Sequence, residues 1–344
     1  MMITQDQESA VSSAAALSEL MFPSTVRCIS IAAQHGIADL LAAGPRPVTE
    51  LARESGADAA ALAKTLRLLA EDGVFTEVED GVFANSPMSQ CLRAGVPGSL
   101  HSMARMVGEP WMWACWGGLD FSVATGAAAF DQAFGTSLWK WFAENPASAR
   151  TFNDAMSEFS EAFGAHLVHA YPEFSDARCV ADLGGGLGSY LTAILAAYPT
   201  VARGLLVDLP PVIEQAKQRP EIASLISSGR CGLAPGDFFE AVPDGVDVYV
   251  TKQIMHSWQD EQLVRLLRRC RDASPPARVV AAELVHGPAT SRFVKNFDLV
   301  MLVTMRGSIR ADEQFREVFG RAGYRISRIV PTQTPFSLIE AVPG

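Results

Sequence analysis

The sequence predicts an α/β protein in two parts: a mostly helical first half, and a second half built on an open, largely parallel sheet. Three observations predict it. From about residue 176 strand-like and helix-like segments alternate, the pattern of a parallel sheet covered on both faces. From about 12 to 170 helical periodicity dominates and little reads as a parallel strand. Between a strand and a helix of the second half lies a glycine-rich turn, Gly184 to Gly188. The two domains are expected at 1–165 and 166–344.

In the first half, Ala14–Leu41 is crowded with apolar residues: Leu17, Leu20, Met21, Phe22, Val26, Ile29 and Ile31. One small domain cannot bury all of them, which predicts packing against a second chain. Val48–Ala70 gives a helix, a turn at Gly56–Ala57 and a second helix from about Asp58. Gly73–Ala84 then reads as a hairpin turning at Glu79–Asp80–Gly81. Helix–turn–helix plus hairpin is the pattern of a winged helix. Its second helix offers only Lys64 and Arg67 as basic residues, beside Asp58, Glu71 and Asp72, too few to neutralise phosphates. A further helix is expected at Ala149–Phe163.

In the second half the expected strands are Arg178–Leu183, Arg203–Asp208, Val246–Met255 and Ala277–Leu284. Helices are expected at Gly188–Ala197, from Val212, at Asp260–Arg271 and at Asp312–Ala322. Tyr324–Val330 and Phe336–Ala341 close the chain as a strand pair. The arginines at 265, 268, 269 and 271 form a solvated helix face.

Composition narrows the function. With 28 Lys and Arg against 38 Asp and Glu the net charge is −10, which disfavours nucleic acid as a partner. Residues Met1 to Ala16 hold Asp6 and Glu8 and no cation, unlike a secretory signal. No apolar run reaches membrane-spanning length. The six cysteines include no C-x-x-C pair and read as reduced thiols of a cytoplasmic protein. His166-x-x-His169 lacks an evident third ligand, so no metal site is expected.

Four segments carry chemistry. In Asp182-Leu183-Gly184-Gly185-Gly186-Leu187-Gly188-Ser189, glycines at 184, 186 and 188 let the backbone approach a ligand. A dinucleotide fingerprint would want glycine where Ser189 stands, so the turn suits a nucleoside without pyrophosphate. Asp208 ends the next strand, 24 residues after Gly184, close to the spacing at which an acid meets ribose hydroxyls. In Gly236-Asp237-Phe238-Phe239 an acid can meet an adenine amino group while an aromatic covers the ring. Lys252-Gln253-Ile254-Met255-His256-Ser257-Trp258-Gln259-Asp260-Glu261 places His256 just past a strand's carboxyl end.

Together these motifs, with Phe297-Asp298-Leu299-Val300-Met301-Leu302 after them, resemble the S-adenosylmethionine-dependent small-molecule O-methyltransferases of plant and bacterial secondary metabolism. That family joins a winged-helix dimerisation domain to a Rossmann-like catalytic domain, and the resemblance spans nearly the whole chain. It implies that Gly184, Asp208, Asp237, Phe238 and Lys252 contact S-adenosylmethionine, with Asp182, Gly186, Leu209, Gly236 and Phe239 in the same cofactor set. It implies His256 as general base and Glu283 as the residue that holds its tautomer. A phenol, with a pKa near 10, is a poor nucleophile at neutral pH, and a neutral imidazole can take its proton as the oxygen attacks. Trp111, Trp113, Phe152, Asn153, Met156, Asp298 and Met301 are expected to bind an aromatic or polyketide-like acceptor, in a homodimer.

Two departures stand out. Many relatives follow the histidine with Asp, where this chain has Ser257, and Ser257-x-x-Asp260 is explained as a helix cap. The family often carries a second glutamate where this chain has Ile309. That loss leaves open a rival in which the same fold and cofactor run hydroxylation, decarboxylation or pericyclic chemistry. A metabolite-sensing regulator and a nicotinamide dehydrogenase are further rivals, opposed by the acidic balance and by Ser189 respectively.

Overall fold

The computed structural model describes residues 5–287 and 290–344. The chain divides into two compact units between Glu109 and Pro110. That division falls earlier than the expected 165/166 boundary. The reason is packing: helix Pro146–His169 lies along helix Ser189–Ala197, and Ala129–Phe134 along Arg292–Met305.

The first unit contains the winged helix. Helices Val48–Ser55 and Ala59–Glu71 are joined through Gly56, and Asp58 caps the second by accepting from the Ala61 N–H at 2.8 Å. Strands β1 (Arg46–Pro47), β2 (Phe75–Glu79) and β3 (Val82–Asn85) pair antiparallel in the order β1-β3-β2. Leu51, Leu62, Leu66, Leu69, Phe75 and Phe83 fill the core beneath. Arg67, one of two cations on the second helix, is engaged by Glu77 at 3.1 Å and Asp80 at 2.6 Å. The wing's own acids thus occupy it.

The second unit carries strands β4 (Cys179–Leu183), β5 (Arg203–Asp208), β6 (Cys231–Pro235), β7 (Val248–Lys252), β8 (Arg278–Glu283), β9 (Tyr324–Pro331) and β10 (Ser337–Pro343). Their order is β6-β5-β4-β7-β8-β10-β9, parallel from β6 to β8, with β10 antiparallel to both neighbours. On one face Leu263, Leu266 and Leu267 of helix Asp260–Ala273 and Phe315 and Phe319 of helix Asp312–Arg321 pack with Ala181, Tyr249 and Val279. Each such side chain contributes roughly 1.5–3 kcal/mol by leaving water, which makes the parallel strands a rigid platform.

Two expectations are corrected here. The strand expected at Val246–Met255 stops at Lys252, because Gln253 takes a left-handed conformation (φ +58°) and Met255–Ser257 forms a 3-10 turn. Ser257 therefore lies within that turn and is not the cap of the next helix. Gln259 precedes the helix instead, its N–H donating to Gln262 Oε1 at 3.2 Å. Among the described residues no helix is long and apolar enough to cross a membrane.

Candidate active site

The carboxyl ends of β4 to β8 bring most of the chemistry-bearing residues into one row. At the end of β4, Gly184 has φ +69°, and a Cβ there would lie 2.5 Å from Ile254 Cδ1 and 3.3 Å from Phe238 Cε1. Only glycine fits where three strand ends converge. Gly186 differs: a Cβ would meet nothing within 4 Å, so this part of the turn borders open space. Its N–H donates to Asp208 Oδ2 at 2.8 Å, and the Leu209 N–H to Asp208 Oδ1 at 2.7 Å. Each carboxylate oxygen keeps a further lone pair for a ligand hydroxyl. Burial pushes the Asp208 carboxyl up from its ordinary value, partly opposed by those two N–H groups. Leu209 is 43% exposed at this edge, an apolar surface beside a polar acceptor.

At the end of β6, the Gly236 N–H bonds the Asp208 carbonyl at 2.9 Å, tying this turn to β5. Asp237 is exposed and its Oδ1 accepts from the Phe239 N–H at 2.8 Å. Phe238 is half-buried beside Gly184. Phe239 is placed otherwise than expected. It is buried in the core, 4.7 Å from the Trp258 ring and under the Arg265 guanidinium, and its partner Phe238 alone stays near the cleft.

Asp182 is 1% exposed, and among the described residues its oxygens find no hydrogen-bond partner of good geometry. Burial raises its pKa to about 7, against the pull of Lys252. Burial lowers Lys252 to about 8. Its Nζ donates to Gln253 Oε1 at 2.6 Å and stands 5.8 Å over the Phe336 ring. Buried carboxylate oxygens without well-formed hydrogen bonds, beside an open glycine turn, fit a ligand that brings its own charges.

At the ends of β7 and β8 an imidazole meets a carboxylate. His256 Nδ1 lies 2.8 Å from Glu283 Oε2, and both side chains are buried. Glu283 Oε1 accepts from the N–H groups of Ile254 and Met255 at 2.8 and 2.7 Å. A carboxylate so satisfied acts as acceptor toward the ring, so Nδ1 carries the proton and Nε2 is left with its lone pair. Phe297 stands nearly perpendicular to the imidazole, with ring centroids 5.3 Å apart.

The remaining expected residues divide. Phe152 meets Trp139 and Phe142 at 5.7 and 5.0 Å, with Met156 half-buried one turn along the same helix. Asn153 donates to Gln215 Oε1 at 2.9 Å, which ties its helix to Pro210–Ala216. Trp111 is 3% exposed and packed among Phe130, Trp141 and Phe142, and Trp113 is half-buried on the same helix. Asp298 Oδ1 accepts from the Ile309 N–H at 2.7 Å, and the Met301 carbonyl closes its helix end. Both serve the loop that follows. Ile309 is buried and puts no carboxylate there.

Some residues of the site carried no signal recognised in the sequence. Trp139 stacks on Trp258 (6.3 Å, 21°) and meets Phe152. The aromatic spacing of Trp139 and Phe142 could have marked them. Arg310, 3% exposed, donates to the carbonyls of Met255 and Trp258, both at 2.7 Å, and to Asp260 Oδ1 at 2.6 Å.

Residues 116–325 match the O-methyltransferase domain family, and residues 19–95 match the O-methyltransferase dimerisation domain. The chain belongs to the O-methyltransferase family. It is 38% identical over 315 residues to the phenazine O-methyltransferase PhzM of Lysobacter antibioticus, covering 91% of each chain. It is 38% identical over 309 residues to the mitomycin biosynthesis 6-O-methyltransferase of Streptomyces lavendulae, covering 89% of this chain and 87% of that one. The crystal structure of LaPhzM superposes with a TM-score of 0.88 at 36% identity, over 96% of this chain and 99% of that one. The enzyme is an S-adenosylmethionine-dependent O-methyltransferase whose relatives serve antibiotic and phenazine biosynthesis.

Proposed function

We propose that the enzyme methylates a phenolic or enolic hydroxyl of a flat aromatic or polyketide-like secondary metabolite, with His256 as base and Glu283 as its support. In this reading it works in the cytoplasm as a homodimer. The unit that ends at Glu109 serves dimerisation, and the unit from Pro110 lines the acceptor site and holds the cofactor. The observation that carries the reading is the His256–Glu283 pair at the carboxyl ends of β7 and β8. Asp208 would hold the ribose, Asp237 and Phe238 the adenine, and the turn at Gly184–Gly188 the methionyl chain beyond the sulfonium. S-adenosylmethionine supplies an electrophilic methyl group when bound.

The protein's part is placement and proton transfer. Nε2 of His256 takes the hydroxyl proton as the oxygen–methyl bond forms and the sulfur–methyl bond breaks. Glu283, already bonded to Nδ1, stabilises the imidazolium. Phe152, Met156 and Phe297 supply apolar walls for a planar ring. The test uses labelled methyl donor and a panel of polycyclic phenols. His256→Ala is expected to lower turnover roughly 10²–10⁴-fold and to leave cofactor affinity nearly intact. The loss should shrink as pH approaches the phenol's own pKa, near 10. Undiminished transfer by this variant at neutral pH would refute the base assignment.

A further inference from the structure

We propose that Gln253 binds the carboxylate of the cofactor's methionyl tail, donating from Nε2. Four features of the residue carry this. It is 9% exposed, and its Nε2 has no hydrogen-bond partner among the described residues. Its φ is +58°, one of two positive values at non-glycine residues among those described. Such a backbone costs of order 1–3 kcal/mol and persists where the site over-determines it. Here the left-handed step breaks the strand's alternation, so the side chains of Lys252 and Gln253 meet instead of pointing to opposite faces. The Lys252 ammonium, a donor only, bonds Oε1 at 2.6 Å and thereby fixes the amide with its NH₂ pointing elsewhere.

The inference rests on the cofactor site proposed above, with adenine at the end of β6 and ribose at the end of β5. The next strands in line are β4, with the glycine turn, and β7, with Lys252 and Gln253. At about 4.8 Å per strand, a linear ligand starting at β6 brings its amino-acid end to β7. Contact between the strands is direct, since the residue after Gln253, Ile254, packs 2.5 Å from where a Gly184 Cβ would stand. A carboxylate arriving there meets one cation, Lys252, whose charge also acts on Asp182 and Glu283, and one unpaired amide donor. Both are buried, where a charge-assisted hydrogen bond is strong. Gln253 also lies three residues before His256, so fixing the tail fixes the sulfur relative to the base.

Calorimetric titration of the full-length enzyme with S-adenosylmethionine and with decarboxylated S-adenosylmethionine tests this. Gln253→Gly removes the side chain while the backbone conformation favours glycine. It should weaken S-adenosylmethionine about 10- to 100-fold, the worth of a hydrogen bond to a charged group. The decarboxylated form should shift by less than about twofold. Gln253→Asn, which a left-handed backbone also tolerates, should show the same split. Asp208→Ala should weaken both ligands alike; if it weakens neither, the site assignment fails, separately from Gln253. Equal losses for the two ligands with Gln253→Gly, or none for either, would overturn the proposal.

Discussion

Glu283 shows how one buried side chain can set a proton's place. It has no exposure, and three donors use it: two backbone N–H groups and the imidazole. A carboxylate surrounded by donors stays an acceptor, so the missing acid at Ile309 leaves the His256 tautomer defined. Asp182 is the opposite case, a buried carboxyl without good donors, its pKa raised from the ordinary 3.8 to about 7. The sign of the linkage follows. Between those two values the folded chain holds a proton that the unfolded chain has released, so stability falls as pH rises. The ligand-free enzyme should therefore lose melting temperature from pH 5.5 to 7 relative to Asp182→Asn, whose amide does not titrate. A difference between the two that stays flat across that window would show that Asp182 ionises normally. Asp182 was identifiable from its motif; its lack of well-formed hydrogen bonds depends on the fold around it.

At the scale of elements, the segment from Gln253 to Asp260 is held from two sides. Glu283 holds its N–H groups, and Arg310 holds the carbonyls of Met255 and Trp258, on either side of His256. Gly307 allows the two loops to touch, since a Cβ would stand 2.1 Å from the His256 carbonyl oxygen. Arg310→Met would leave the Trp258 carbonyl without its donor, at about 1–3 kcal/mol for a buried group, and the Met255 carbonyl with only the Trp258 N–H at 3.4 Å, while the half-exposed Asp260 turns to water. Turnover should fall about 10- to 100-fold with a lower melting temperature, while calorimetry shows cofactor affinity within a few-fold. Arg310→Lys, able to serve fewer partners, should recover part of the rate. Unchanged turnover in Arg310→Met would show that His256 needs no such clamp. This device was illegible in the sequence because its partners lie some fifty residues apart. Ser257 misled for a related reason: its spacing to Asp260 matches a cap, but Gln253 turns the chain early and moves the helix start. Strands β4, β5 and β8 were legible as apolar runs. β6, Cys-Gly-Leu-Ala-Pro at the sheet edge, lacks the β-branched residues that announce a strand.

For the whole molecule, the question is what covers the amino-terminal apolar surface. Leu17, Leu20, Met21, Phe22 and Val26 are 49–72% exposed in the folded chain, although their composition is that of a core. Their excess was legible before the fold was known, because counting apolar residues against a small domain needs no coordinates. Exposed apolar residues gathered in one such segment mark an interface. The match of residues 19–95 to a dimerisation domain agrees with a two-fold pairing. Light scattering at micromolar concentration should give twice the chain mass of 36.9 kDa. Leu20→Asp with Phe22→Asp should shift the mass toward one chain, since burying two carboxylates without partners costs more than the pairing returns. All the residues proposed to hold the cofactor, from Asp182 to Lys252, belong to the unit that begins at Pro110. The dissociated variant should therefore still bind S-adenosylhomocysteine within a few-fold of the wild type. A wild-type enzyme that stays monomeric would refute the pairing. A monomeric variant that loses the ligand would show that the cofactor site depends on the partner chain.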